Sequence, residues 1–238
     1  MSSRKDQKRS ARVVREQLAR ERRRRRTVWT SVAAVAVLVI AGLVGWGVWA
    51  SQRSSQVTPP PGAVDGGTAL AFGSGPVTID IYEDFQCPAC QRFEEASGAT
   101  IDRLLAENKV TVRYHPIAIL DRASTTKYST RSAAAAGCAA EYDKYREYAK
   151  ELFAQQPPEG TAGLTNERLV EIGRQAGITA NGFEGCVQDQ KYQPWTRQAT
   201  ETASENGVSG TPTVLVNGKA LENPTPDNLA AAVADAIR

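Results

Sequence analysis

Two cysteines enclose a proline and an alanine in Cys87-Pro88-Ala89-Cys90, where an alternating apolar run gives way to a helical one. A cysteine at the start of a helix faces unpaired backbone N–H groups and the positive end of the helix dipole. Both favour thiolate over thiol and lower the pKa from about 8.5. Cys87 is the residue so placed. Cys90 follows three positions later on the same side of the helix, where it can attack a mixed disulfide while being less exposed itself. This spacing makes Cys87 the sulfur that links to a substrate and Cys90 the one that resolves the link. Two other uses of the pair compete. A zinc site needs four ligands, but the chain has one histidine, and the remaining cysteines, Cys138 and Cys186, have no partner at ligand spacing. No metal is therefore expected. A purely structural disulfide within C-x-x-C closes too short a loop to add much stability.

The elements that must position this pair are legible around it. Val77, Ile79 and Ile81 alternate with Thr78, Asp80 and Tyr82 as in a strand that leads to Phe85-Gln86-Cys87. Pro88 then occupies the first helical position, where its missing N–H costs nothing. Phe93, Ile101, Leu104 and Leu105 predict a helix over 88–107. Val110, Val112, Tyr114 and the run 117–120 predict a second strand, making a β-α-β start. Helical patterns follow around Ala133–Ala140, Tyr142–Phe153 and Leu169–Ala176. Strands return at Thr213–Val216 and Lys219–Leu221 around the turn pair Asn217-Gly218. A last helix begins after Thr225 with Leu229, Val233 and Ile237 on its apolar face.

Charge divides the chain into unlike parts. The 238 residues carry a net charge of +3, yet 12 of the 29 Lys and Arg fall in the first 26 residues, against three acids. From Ser54 onward 16 basic and 23 acidic residues leave −7, so the folded part is acidic and nucleic-acid binding is not expected. Residues 28–50 are uncharged. At about 1.5 Å per residue they match the roughly 30 Å apolar layer of a bilayer. Trp29 lies near one end and Trp46 and Trp49 near the other, and Arg22–Arg26 abut the first edge. The expected organisation is a basic cytoplasmic tail (1–27), a transmembrane helix (28–50), a Pro/Gly/Ser-rich flexible linker (51–75) and an extracytoplasmic catalytic domain (76–238). A cleaved signal peptide ending near Val48 and Ala50 competes with a retained anchor, though the apolar stretch is longer than such signals need. All four cysteines then lie in an oxidising compartment, and Cys138 with Cys186 is expected to form a structural disulfide.

The segment Tyr82-Glu83-Asp84-Phe85-Gln86-Cys87-Pro88-Ala89-Cys90, with the late loop Gly207-Val208-Ser209-Gly210-Thr211-Pro212-Thr213 and the hairpin after it, resembles the DsbA-like branch of the thioredoxin superfamily in its membrane-anchored extracytoplasmic form. The resemblance implies an α/β thioredoxin-like fold with an inserted helical domain, about 122–190, serving as a lid, preceded by one transmembrane helix. It implies a cis Pro212 against the cysteines, and Thr211 offering backbone hydrogen bonds to a substrate strand, with Asp84, Phe85 and Pro88 flanking the motif. It implies a disulfide donor, without cofactor, that acts on exported unfolded proteins. Reoxidation would come from a quinone-linked partner in the cytoplasmic membrane, DsbB-like or vitamin K epoxide reductase-like, and a monomer is expected. Two departures stand out: Ala89 replaces a histidine that some relatives carry between the cysteines, and Ile81 stands where many carry a carboxylate, six residues before the first cysteine. Asp80, Glu83 or Asp84 could substitute, although solvated, exposed carboxylates are the ordinary expectation. His115, the only histidine, is expected to be structural. A reductase or isomerase, and a tethered peptide-binding or chaperone module, are the competing functions.

Overall fold

The computed structural model describes residue 29, residues 37–46 and residues 57–238. Residues 37–46 are helical, and no helix among the described residues is long and apolar enough to cross a membrane. The tail 1–27, the rest of the stretch 28–50 apart from Trp29, and residues 51–56 of the expected linker lie outside the described residues. Val57–Arg238 form one compact unit.

That boundary corrects the expected start at Pro76. Two short strands, β1 (Ala63–Val64) and β2 (Ala69–Phe72), already belong to the sheet. β2 pairs antiparallel with the later strand of the β-α-β unit, with Leu70 opposite Tyr114, and both Ala69 and Leu70 are buried. Turns at 61–62 and 65–68 flank strands of two and four residues. Strands this short leave too little apolar periodicity to stand out from the Pro and Gly of their turns.

The β-α-β unit follows as β3 (Val77–Glu83), α1 (Pro88–Ala106) and β4 (Val110–Pro116), with β3 and β4 parallel. Five helices come next: α2 (Tyr128–Ala140), α3 (Tyr145–Ala154), α4 (Asn166–Gln175), α5 (Asn181–Gln188) and α6 (Gln193–Glu205). The chain closes with β5 (Thr213–Val216), β6 (Lys219–Ala220) and α7 (Pro226–Ile237). The six strands lie in the order β1-β2-β4-β3-β5-β6. Val77, Ile79 and Ile81 of β3 and Val110 and Val112 of β4 belong to the main core together with Phe93, Ile101 and Leu104 of α1. On the opposite face, Tyr82 joins Ile117 and the small residues Ala199 and Ala203 of α6 in a second cluster.

Two stretches differ from their sequence patterns. Residues 117–120 leave the sheet instead of extending β4. Ile117 N–H still donates to the Glu83 carbonyl at the end of β3, but beyond it the acceptors change: Ala118 N–H donates to Thr200 Oγ1 at 2.9 Å and Leu120 N–H to Asp84 Oδ2 at 3.0 Å. The sequence patterns do not separate helices α5 and α6. α5 carries Gly182 and Gly185, and α6 buries one large residue, Trp195, among the small or polar Thr196, Ala199 and Ala203, which do not register as an apolar stripe. α6 can approach α2 closely because position 137 is glycine. A Cβ there would stand 2.9 Å from Tyr192 and 3.2 Å from Trp195.

Cys138 of α2 and Cys186 of α5 are joined as a disulfide, with their Cα atoms 5.9 Å apart. The bridge closes a sequence separation of 48 residues within the inserted helices. Loop-closure entropy for such a loop corresponds to about 4 kcal/mol. Replacing both cysteines by serine is expected to lower the unfolding free energy by about 2–4 kcal/mol, read from the urea midpoint at unchanged slope. An unaltered midpoint would mean that the helices hold together without the link.

Candidate active site

Strand β3 ends at Glu83, and the turn Asp84–Gln86 delivers the chain to Cys87, which is the N-cap residue of α1 with extended backbone (φ −80°, ψ 117°). Pro88 sits in the first turn, as expected. No side chain accepts a hydrogen bond at this end, and the N–H groups of Ala89 and Cys90 bear on the Cys87 sulfur. Cys87 and Cys90 are free thiols, both buried, Cys90 the more so at 1% exposure against 7%. Across from them the Thr211–Pro212 peptide bond is cis, and the Thr211 carbonyl accepts from Cys87 Sγ at 3.3 Å. Residues 124 positions apart in the chain thus meet at one sulfur.

The two thiols are driven in opposite directions. A hydrogen bond with Cys90 is the largest influence on Cys87. Burial opposes it, and the Thr211 side chain and the N–H groups of Cys90 and Ala89 reinforce it, bringing the Cys87 thiol down to about 5. Cys90 is pushed far above the ordinary thiol range by burial, then by its bond to Cys87 and by that neighbour's charge. At neutral pH the pair therefore holds one thiolate and one thiol. The thiolate is the outer sulfur, able to attack or to leave. The protonated inner sulfur can resolve once its proton is removed.

The carboxylates before the motif correct the expectation of exposure, since Asp80, Glu83 and Asp84 are all buried. Each is retained by specific partners. Asp84 accepts from the Gln86 and Leu120 N–H groups at 2.9 and 3.0 Å, which ties the motif turn to the segment after β4. Burial raises its pKa to about 6 against the pull of these bonds and of Ser129, and the charge of Cys87 adds to the rise. Glu83 accepts from the Tyr145 hydroxyl at 2.7 Å and is raised by burial to about 8. Ile81 is an ordinary core residue. Phe85 is fully buried and packs on Phe153 of α3, ring centroids 5.0 Å apart.

Asp80 and His115 lie on the other face of the sheet. Register places Asp80 beside Arg113 and Tyr82 beside His115, whose ring stacks on Tyr82 at 4.2 Å. Burial alone would raise Asp80, but hydrogen bonds from His115 and Arg113 hold it below the usual carboxylate range. Asp65, Asp80 and His115 bring one ligand atom each within 4.8 Å of one another. This is an ion-pair network and not a metal cage: Arg113 Nε lies 2.6 Å from Asp80 Oδ1 and Arg113 Nη2 donates to Oδ2 at 2.8 Å, so a guanidinium already fills the cation position. His115 sits within this network, away from the thiols, with the structural role expected of it.

Sequence reasoning missed Gln156, whose Nε2 donates to the carbonyls of Phe85 and Cys87 at 3.0 and 3.1 Å. A glutamine after a helix end, 69 residues from the cysteine whose carbonyl it binds, carries no sequence signal for this position.

A buried dithiol at a helix N-terminus, set against a cis-proline loop on a mixed sheet, defines a thioredoxin-fold domain of the DsbA type. Residues 69–235 match the thioredoxin family model, and the chain belongs to that family. Among solved structures it is similar to DsbG of Mycobacterium tuberculosis in reduced form, a disulfide bond oxidoreductase. The identity is 34%, covering 72% of this chain and 88% of that one, with a TM-score of 0.64. It is also similar to reduced DsbA of the same organism, with 33% identity, 72% and 93% coverage and a TM-score of 0.63. Among curated proteins it is 30% identical over 175 residues to the serine/threonine-protein kinase PknE of Mycobacterium tuberculosis, covering 69% of this chain and 31% of the kinase. The chain thus spans less than a third of that relative's length.

Two outcomes are expected from the ionisation of this site. Iodoacetamide should alkylate Cys87 of the reduced protein with a rate that titrates near pH 5 and spare Cys90 in the folded state; mass mapping of the modified thiols that found Cys90 labelled first would reverse the assignment. Glu83, with a folded pKa of about 8 against about 4.3 for a free glutamate, binds its proton more tightly folded than unfolded. Its contribution is complete below the unfolded value and is lost as pH rises through 8. Gln keeps an acceptor for Tyr145, so Glu83→Gln should exceed the wild type in urea resistance at pH 9 by at least about 1 kcal/mol, with the gap closing toward pH 5.

Proposed function

We propose that this domain is a thiol–disulfide oxidoreductase whose Cys87-Pro88-Ala89-Cys90 site donates its disulfide to exported proteins. The observation that carries the reading is the placement of Cys87 Sγ at the N-terminus of α1, opposite the Thr211 carbonyl, with Cys90 behind it. In the oxidised enzyme a substrate thiolate attacks Cys87 Sγ. The Cys87–Cys90 bond breaks and Cys90 leaves, taking up a proton as its raised pKa requires. A second substrate thiolate then attacks the substrate sulfur of the mixed disulfide. Cys87 departs as the stabilised thiolate, and two electrons have passed from the substrate dithiol to the enzyme. The lower the pKa of Cys87, the better it leaves and the more the reduced enzyme is favoured, which makes the disulfide oxidising. Thr211 and Pro212 provide the wall against which the substrate strand lies. Turnover needs an acceptor for the two electrons, and a quinone-linked membrane protein, DsbB-like or vitamin K epoxide reductase-like, fits that need.

The direction of transfer is testable. Equilibration of the purified domain with glutathione is expected to give a potential of roughly −180 to −120 mV, and a value near about −270 mV would favour a reductase.

The location belongs to the same proposal. The uncharged stretch 28–50, preceded by five arginines, supports a retained anchor with the N-terminus in the cytoplasm and the catalytic domain outside. A reporter active only in the cytoplasm, fused after Arg238 of the full chain, should be silent, whereas activity there would place the thiols in a reducing compartment and overturn the export assignment.

A further inference from the structure

The end of α3 and the segment behind it meet the reactive loop through contacts running both ways. Gln156 Nε2 donates to the carbonyls of Phe85 and Cys87 at 3.0 and 3.1 Å. Gln91, from the first turns of α1, donates back through Nε2 to the Phe153 carbonyl at 2.8 Å. The rings of Phe85 and Phe153 also pack against each other across this junction, with centroids 5.0 Å apart. The two carbonyls bound by Gln156 flank the turn into α1. That of Cys87 also accepts from the N–H groups of Cys90 and Gln91 at 3.0 and 3.2 Å, whereas the Phe85 carbonyl has no other donor among the described residues.

We propose that Gln156 is a positioning residue for Cys87: through its amide the inserted helical domain holds the carbonyls on either side of the turn, so that the sulfur stays aimed at the first N–H groups of α1. Rotation of ψ at Cys87 would swing its carbonyl and move α1 relative to the sulfur, and a carbonyl held by three donors resists that rotation. The carbonyl oxygen is also a negative pole near Sγ. An N–H directed at it offsets part of that potential and so favours the thiolate, as any donor near an anion does. A helix dipole acts only within its first turn, so small displacements of the sulfur cost much of its effect. The inference rests on Cys87 being the exchanging sulfur, and it assigns to the insertion a hold on that sulfur's acidity.

Gln156→Leu keeps the size and removes the donor. In the reduced protein, the ultraviolet absorbance of the thiolate followed against pH should show a midpoint raised by about 0.7 unit, a fivefold loss of thiolate below the midpoint. The equilibrium with glutathione should shift by the same factor, about 20 mV toward more reducing. Gln91→Leu breaks the return contact to Phe153 but leaves both donations from Gln156, and its thiolate midpoint should stay at the wild-type value. A folded Gln156→Leu protein with wild-type midpoint and potential would overturn the proposal. So would an equal shift in Gln91→Leu, which would show that loosening of the insertion, not donation, sets the acidity. If Gln156→Leu does not unfold cooperatively, Gln156→Lys decides: it keeps a donor and should titrate at or below the wild-type midpoint, and a rise would refute the role. The titration reads Cys87 whether or not the domain transfers disulfides, so failure here is distinct from failure of the functional assignment, which would appear as exchange activity surviving in Cys87→Ser.

Discussion

The start of α1 at Cys87 is the constraint on which the reactive end of the molecule depends. A helix N-terminus offers unpaired N–H groups, and the residue at the cap takes most of their effect. Proline in the first turn fixes where the helix can begin. Every other part of the site acts on that one junction. β3 delivers the chain to it, Asp84 fastens the turn before it, Gln156 holds its carbonyls, and Thr211 meets its sulfur from a loop far along the chain. The inner sulfur, one turn into the helix, lies on the face that packs into the core, and its burial follows from helical geometry.

Three carboxyl groups are buried around β3, and their arrangement differs between the two faces of the sheet. On the face toward α1 and the insertion, Glu83 and Asp84 are carboxyl groups whose burial favours the neutral form, each held by a small number of hydrogen bonds. On the opposite face, Asp80 is kept ionised by Arg113 and His115. The first arrangement leaves groups able to change charge near the thiols. The second is a closed ion pair that locks β3 to β4 and leaves no open valence for chemistry.

Much of the core of the domain was legible in the sequence, because its elements are long and strongly patterned. The strand before the cysteines, the helix that carries them, the late hairpin at Asn217-Gly218 and the final helix capped by Thr225 occur where their periodicity or caps put them. The cysteine pair and the Thr-Pro loop were legible as a combination. What escaped detection did so for identifiable reasons. The first hairpin is built from strands too short to show alternation. α6 buries alanines and a threonine where a pattern search expects leucine. The burial of Glu83 and Asp84 depends on Tyr145 and on the 117–120 segment, and the position of Gln156 on the packing of α3, all distant in sequence. Local chemistry singles out Cys87 and Cys90; tertiary packing decides how acidic they are.

The first hairpin also bears on how the domain would carry load. Force entering through the chain ahead of β1 would reach the two-residue ladder between β1 and β2, then the pairing of β2 with β4. Trp195 of α6 donates from Nε1 to the Gly67 carbonyl and pins the turn between the two strands to a helix on the covered face of the sheet. β1 is the edge strand at one side, whereas β3, which leads to Cys87, lies beyond β2 and β4. Tension applied there would load the pairing of β1 with β2, and of β2 with β4, before it reached the strand that sets the sulfur.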